Sequence, residues 1–162
     1  MLRETERREL LVESDGTKRD YPKDKCVHQL FEEQARQTPE AVAVVFEDQQ
    51  LTYRELNRRA NRIARSLRRL GVGPDILVGL CVDRSLELVI AILAIFKAGG
   101  AYVPFDPDYP KARLEFMLKD SNVSVLLTQK HVEAVLPAHK AAVVYLDGEH
   151  LEGFSVGPLG DA

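Results

Sequence analysis

The sequence predicts an α/β protein built on a mixed, largely parallel sheet with flanking helices. Three observations carry this reading. The runs Ala41–Phe46 and Leu77–Val82 are apolar without polar interruption, the pattern of strands covered on both faces. Apolar residues recur at helical spacing between and after them. From Leu77 to Val103, strand, helix and strand follow with little slack, which is a βαβ unit with parallel strands and a right-handed crossover.

Each element has its own justification. Residues 1–25 are polar and read as a linker, with Leu2, Leu10 and Leu11 able to support a short helix across Glu4–Val12. Val27–Gln37 is expected to be a helix with Leu30, Phe31 and Ala35 inward, stopped at Thr38-Pro39 because a residue before proline avoids helix. The strand Ala41–Phe46 follows, and residues 47–50 turn back to Leu51. Thr52 and Glu55 have the spacing of a capping box for the helix that runs to Leu70. Tyr53, Leu56, Ala60, Ile63, Ala64, Leu67 and Leu70 form one stripe of that helix. Gly71 ends it, Val72 can close the last turn, and Pro74 blocks resumption. Its other face carries Arg54, Arg58, Arg59, Arg62, Arg65, Arg68 and Arg69, which reads either as a solvated face or as a docking surface.

After the strand Leu77–Val82, Ser85 can cap a helix to Ala98 that is apolar almost all round and therefore needs cover on several sides. Gly99 and Gly100 stop it, Gly99 in the left-handed conformation, and let backbones approach closely. A strand through Ala101, Tyr102 and Val103 leaves at once. Pro104 lacks an N–H, so that strand ends or lies at an edge there. The loop 106–110 then leaves the carboxyl end of a strand, where open α/β sheets bind ligands. Asp106, Asp108 and Tyr109 are accordingly the residues to consider near a site. Their structural reading is turn formation before a helix with Pro110 in its first turn. That helix spans Lys111–Asp120, with Leu114, Met117 and Leu118 inward and Ser121-Asn122 as its stop. A strand Val123–Leu127, a short helix Lys130–Leu136 and a strand Ala142–Leu146 follow, and residues 151–162 read as a tail.

The 162 residues are 45% hydrophobic and 29% charged, enough for one domain with a packed core and inconsistent with a disordered chain. A net charge of −3 provides no general attraction to nucleic acid or an anionic membrane. The longest apolar run is too short to span a bilayer, and the charged first residues are not an apolar signal. Cys26 and Cys81, far apart in sequence, read as free thiols, and the expected place of action is the cytoplasm.

Two stretches carry a resemblance. FKAGGAYVPFDPDYP, residues 96–110, resembles the second core motif of amino-acid adenylation domains from nonribosomal peptide synthetases, usually LKAGxAYVPIDPxYP. LTYREL, residues 51–56, is similar to the first core motif. The matching positions are Leu51, Thr52, Tyr53, Glu55 and Leu56, then Lys97, Ala98, Gly99, Gly100, Ala101, Tyr102, Val103, Pro104 and Asp106. Phe96 and Phe105 stand where leucine and isoleucine are usual. The resemblance implies the N-terminal piece of the large subdomain of an adenylate-forming enzyme over residues 26–150, with residues 1–25 as the condensation–adenylation connector.

What it implies about chemistry belongs to the intact parent. Such enzymes use ATP and magnesium to form an aminoacyl-adenylate, then load a carrier protein's phosphopantetheine thiol. Their phosphate loop and later motifs are not found in these 162 residues. The expectation is therefore a piece cut before the phosphate loop, with no catalytic, cofactor-binding or metal residue of its own and no activity alone. Gly71-Val72-Gly73-Pro74 lacks the spacing and lysine of a phosphate loop, and His28, His131, His139 and His150 are scattered. The implied partners are the rest of the adenylation domain and neighbouring condensation and carrier domains, with no nucleic acid or membrane. Self-association through uncovered apolar surface is a further expectation. The competing reading is a non-catalytic interaction module that binds a partner through its Arg-rich helix or an exposed core face.

Overall fold

The computed structural model describes residues 22–147; the leader helix and the tail expected from the sequence lie outside them. Helix α1 spans Val27–Gln37. Strands β1, Val42–Phe46, and β2, Gln49–Thr52, form an antiparallel ribbon that leads directly into helix α2, Tyr53–Arg69. Then come β3, Leu77–Cys81; α3, Leu86–Ala98; β4, Ala101–Pro104; α4, Lys111–Ser121; β5, Val125–Thr128; a 3-10 turn, Glu133–Val135; and β6, Ala142–Tyr145.

The main sheet has the order β4-β3-β5-β6 with every pair parallel. The chain moves outward from β3 to β4, returns to the other side of β3 as β5, and continues outward to β6. Right-handed crossovers running in opposite directions place their helices on opposite faces. The cores follow that rule. Val78, Leu80, Val125 and Leu127 pack with α2 and α3 on one side. Cys81, Leu126 and Phe105 pack with Leu114 and Leu118 of α4 on the other.

Two helix ends and one glycine decide how tightly this closes. At the end of α2, Gly71 has φ +86°, its N–H donates to Arg68 O, and Val72 N–H donates to Leu67 O at 3.0 Å. At the end of α3, Gly99 has φ +95°, its N–H donates to Phe96 O, and Gly100 N–H donates to Ile95 O at 3.0 Å. Both are Schellman closures. The close approach at the second lies at Gly100, where a Cβ would sit 2.7 Å from Val72 Cγ1 and 3.1 Å from Ile76 O. Gly99 itself has room, so its constraint is backbone conformation. In mid-sheet, a Cβ on Gly79 would meet Leu126 Cδ1 at 2.6 Å and Phe105 Cε2 at 2.7 Å. The missing side chain is the space into which Phe105, 2% exposed, seats itself.

Several expectations are corrected. Ala41–Phe46 is not a strand covered on both faces. It belongs to the outlying ribbon, with Val42 49% and Val45 62% exposed. An apolar run reads the same whether a second layer covers it or not. The capping box at α2 is only half made: Thr52 Oγ1 accepts the Glu55 N–H at 3.2 Å, while the Glu55 carboxylate turns to Arg59 at 2.7 Å. An ion pair within the helix outcompetes the reciprocal cap. Pro110 is the residue before α4 rather than part of its first turn. Leu70 follows α2 rather than closing it. The expected helix Lys130–Leu136 contracts to a single 3-10 turn, because Pro137 leaves too few residues to nucleate an α-helix. Strand β5 starts two residues later than expected and runs to Thr128, and β6 ends at Tyr145. Pro104 behaves as expected: β4 is an edge strand.

Candidate functional site

The chain reverses its winding direction between β3 and β5, so the carboxyl ends of these strands form a topological switch point, where open α/β sheets hold ligands. The residues there are linked across the gap. The Asp83 N–H donates to Gln129 Oε1 at 2.9 Å, and His131 Nε2 lies 2.6 Å from Asp83 Oδ2. One strand further out, Lys130 N–H donates to Asp147 Oδ2 at 2.9 Å. The chain segments leaving β3, β5 and β6 are thereby tied together by side chains.

Beside this cluster, above β3 and β4, opens a crevice of about 500 Å3 lined by Val82, Arg84, Leu88, Tyr102, Asp106 and Tyr109, among others. Its volume falls within the roughly 300–1,000 Å3 of small-molecule sites. Asp106 shapes one wall, since its Oδ1 accepts the Asp108 N–H at 3.0 Å and its carbonyl accepts the Tyr109 N–H. The Arg113 guanidinium stacks 4.0 Å above the Tyr109 ring. Asp106, Asp108 and Tyr109 are thus both turn formers and crevice lining.

The chemistry of the lining is limited. Burial pushes the Cys81 thiol up to about 12, with Asp106 and Asp83 adding to the effect, so this cysteine stays a thiol and packs as core. The crevice rim carries Asp83, Asp106 and Asp108 against Arg84. That surplus of carboxylates repels a triphosphate, so the described residues do not fit ATP. No group of three or more His, Cys, Asp or Glu poised to hold a metal occurs among the described residues.

The two sequence motifs take structural positions. Leu51 and Leu56 are core, Thr52 caps α2, and Tyr53 stacks with Phe31 of α1 at 5.7 Å between ring centroids. Ala98 to Pro104 form the α3–β4 junction, with Tyr102 against Phe96 at 5.8 Å. Lys97 is 4% exposed, and its ammonium pairs with Glu32 of α1. The structure brings Tyr102, Pro104 and Asp106 to the crevice and leaves the remaining motif residues in the scaffold. Sequence reasoning did not single out Asp83 or Gln129, and it set His131 aside as one of four scattered histidines. Each follows a strand's carboxyl end, the same rule that singled out Asp106, but only the strand order makes them neighbours.

A parallel sheet wound in both directions, with a crevice at its carboxyl edge, defines an open doubly wound α/β fold and leaves its chemistry open. Comparison with known proteins narrows it. Residues 31–154 match the family described as AMP-binding enzyme. The chain is 52% identical over all 162 of its residues to a linear gramicidin synthase from Brevibacillus parabrevis. It is 51% identical over 93% of its length to a mycosubtilin synthase from Bacillus subtilis. Among solved structures, the nonribosomal peptide synthetase FmoA3 superposes over 93% of the chain with TM-score 0.78 and 35% identity. The N-terminal subdomain of Klebsiella oxytoca NpsA, solved with anthranilyl-AMSN, superposes over 75% with TM-score 0.67 and 26% identity. The chain belongs to the AMP-binding enzyme family, among the adenylation domains of nonribosomal peptide synthetases. It spans 2% and 6% of the two curated relatives, 16% of the FmoA3 chain and 31% of the NpsA subdomain.

Proposed function

We propose that this chain is scaffold for a synthetase module that activates an amino acid with ATP and magnesium to the aminoacyl-adenylate and loads it onto a phosphopantetheinyl carrier domain. The observation that carries the reading is the pairing of a doubly wound half-sheet with both core motifs seated in its packing, at Thr52–Leu56 and Lys97–Pro104. These residues hold α2, α3 and the first strands in place, and ATP chemistry is supplied by residues outside this chain. Its partners in this reading are the rest of the adenylation domain and the neighbouring condensation and carrier domains. The place of action is the cytoplasm, a reading supported by the free thiols of Cys26 and Cys81.

Two measurements test this. Amino-acid-dependent exchange of labelled pyrophosphate into ATP by the chain alone should stay at background with every common amino acid. Transplanting residues 25–147 into the corresponding stretch of a related adenylation domain should leave its exchange activity and amino-acid preference within about threefold. A folded chimera without activity, or exchange by the chain alone, overturns the proposal.

An interaction-module reading draws on Arg62, Arg65 and Arg69, which are exposed on α2. It is weakened by their neighbours. Arg59 pairs with Glu55, Arg54 with Glu40 at 2.5 Å, and Arg68 donates to Lys97 O, so much of the arginine row serves the fold itself.

A further inference from the structure

The crevice above β3 and β4 is specific in both shape and charge. Leu80, Val82 and Phe105 form its floor, and all three are buried. Leu88, Tyr102 and Tyr109 line it with apolar and aromatic surface. Such a lining desolvates one apolar group of modest size, and about 500 Å3 suits a small molecule.

Charge decides what that group must carry. The lining holds three carboxylates, Asp83, Asp106 and Asp108, against one base, Arg84. His131 engages Asp83. Asp106 and Asp108 form no ion pair among the described residues, and Asp106 Oδ1 accepts the Asp108 N–H. Their field reaches into the sheet: Cys81, between Leu80 and Val82, has its thiol pushed up chiefly by burial and further by Asp106 and Asp83. Apolar walls concentrate such a field where open water would disperse it. Tyr102, 37% exposed, adds a ring face that attracts cations, as the neighbouring Tyr109 ring does for the Arg113 guanidinium at 4.0 Å. The same carboxylates repel anions. They also disfavour a free amino acid, whose own carboxylate enters together with its ammonium.

We propose that the crevice binds a small organic monocation, an alkyl or arylalkyl amine without a carboxylate. Its apolar body lies on Leu80, Val82 and Phe105, and its ammonium sits between Asp106 and Asp108 with Tyr102 beside it. Arg84, the one like charge in the lining, limits the affinity. Every contact comes from residues 80–109, so binding here does not require the scaffold role.

Amide chemical shifts of the full 162-residue chain test this in titrations with phenethylammonium chloride, phenylpropionate and phenylalanine, which share one aromatic ring. Phenethylammonium should shift the amides around residues 80–84 and 102–109 in one saturable step, at a concentration at least about tenfold below either of the others. Asp106→Asn keeps an oxygen for the Asp108 N–H and removes the charge; combined with Asp108→Asn it should weaken binding about tenfold. Arg84→Gln should strengthen it severalfold. Unchanged shifts of α2 amides show that the variants remain folded. Absence of saturable shifts, equal binding of the anion or the zwitterion, or affinity indifferent to Asp106 and Asp108 overturns the proposal. A lysine-containing peptide that binds where phenethylammonium does not also overturns it and assigns the crevice to a basic segment of a partner protein.

Discussion

The buried ammonium of Lys97, at the end of α3, is paired with Glu32 of α1 and lies 5.9 Å from the centre of the Phe31 ring. Arg68 of α2 donates to the Lys97 carbonyl, so three helices meet at one residue. A lysine with 4% exposure needs such a partner, because an unpaired charge loses its hydration without compensation.

Glu32→Ala removes that partner. Losing one member of a fully buried pair costs about 3–5 kcal/mol, and because Glu32 is partly exposed the expected loss here is on the order of 2 kcal/mol. The hydrogen bond from Lys97 holds the Glu32 carboxyl below its ordinary value. Its contribution is therefore present above the unfolded-state value of 4.5 and is lost as pH falls from there through the lowered value. Urea midpoints at pH 7 and pH 3.5 check both statements: the difference between parent and Glu32→Ala should shrink at the lower pH.

Gly79 and Gly99 should fail differently when substituted. Gly79→Ala drives a methyl group into Leu126 and Phe105, and overpacking of this kind costs about 1–3 kcal/mol. Trimming the obstruction with Phe105→Leu should recover part of the loss. Gly99→Val is expected to cost about 1–3 kcal/mol through its left-handed backbone, with no side-chain clash to relieve. Denaturation of the two singles and of each paired with Phe105→Leu distinguishes them; rescue of Gly99→Val by that change would contradict the assignment.

His139 is half-buried, its ring nitrogens are buried without a hydrogen-bond partner among the described residues, and burial lowers its pKa below 6.5. The native state therefore binds fewer protons than the unfolded chain just below pH 6.5, and stability should fall as pH drops from about 7 to 5. His139→Asn should flatten that slope. A thermal melt series across this range checks it, and an equal slope in the variant would remove His139 as its source.

The apolar helix α3 is covered by α2 on one side and the sheet on another, yet Leu88, Val89, Ile92 and Phe96 remain partly exposed. With the half-exposed Tyr102 beside Phe96, they give the isolated chain a sticky face. Light scattering across a dilution series should show concentration-dependent association, and Ile92→Lys should reduce it severalfold. A compact monomer that binds no apolar dye would refute this.

The sequence by itself determined the main helices and the four strands of the parallel sheet, their order and the pairing of β3 with β4, because helix caps, β-branched runs and the Gly99-Gly100 stop act over a few residues; it did not show β2 or the single 3-10 turn at Glu133–Val135. It also determined the family, through motifs whose spacing along the chain needs no coordinates. Only the tertiary structure decided that β5 lies on the far side of β3, and hence that Asp83, Gln129 and His131 meet. It likewise decided that β1 stands outside the main sheet and that Lys97 answers Glu32 across 65 residues. Apolar periodicity records that a side chain is buried but not against which element. Those assignments depend on strand order and helix face, which arise only when all the crossovers close together.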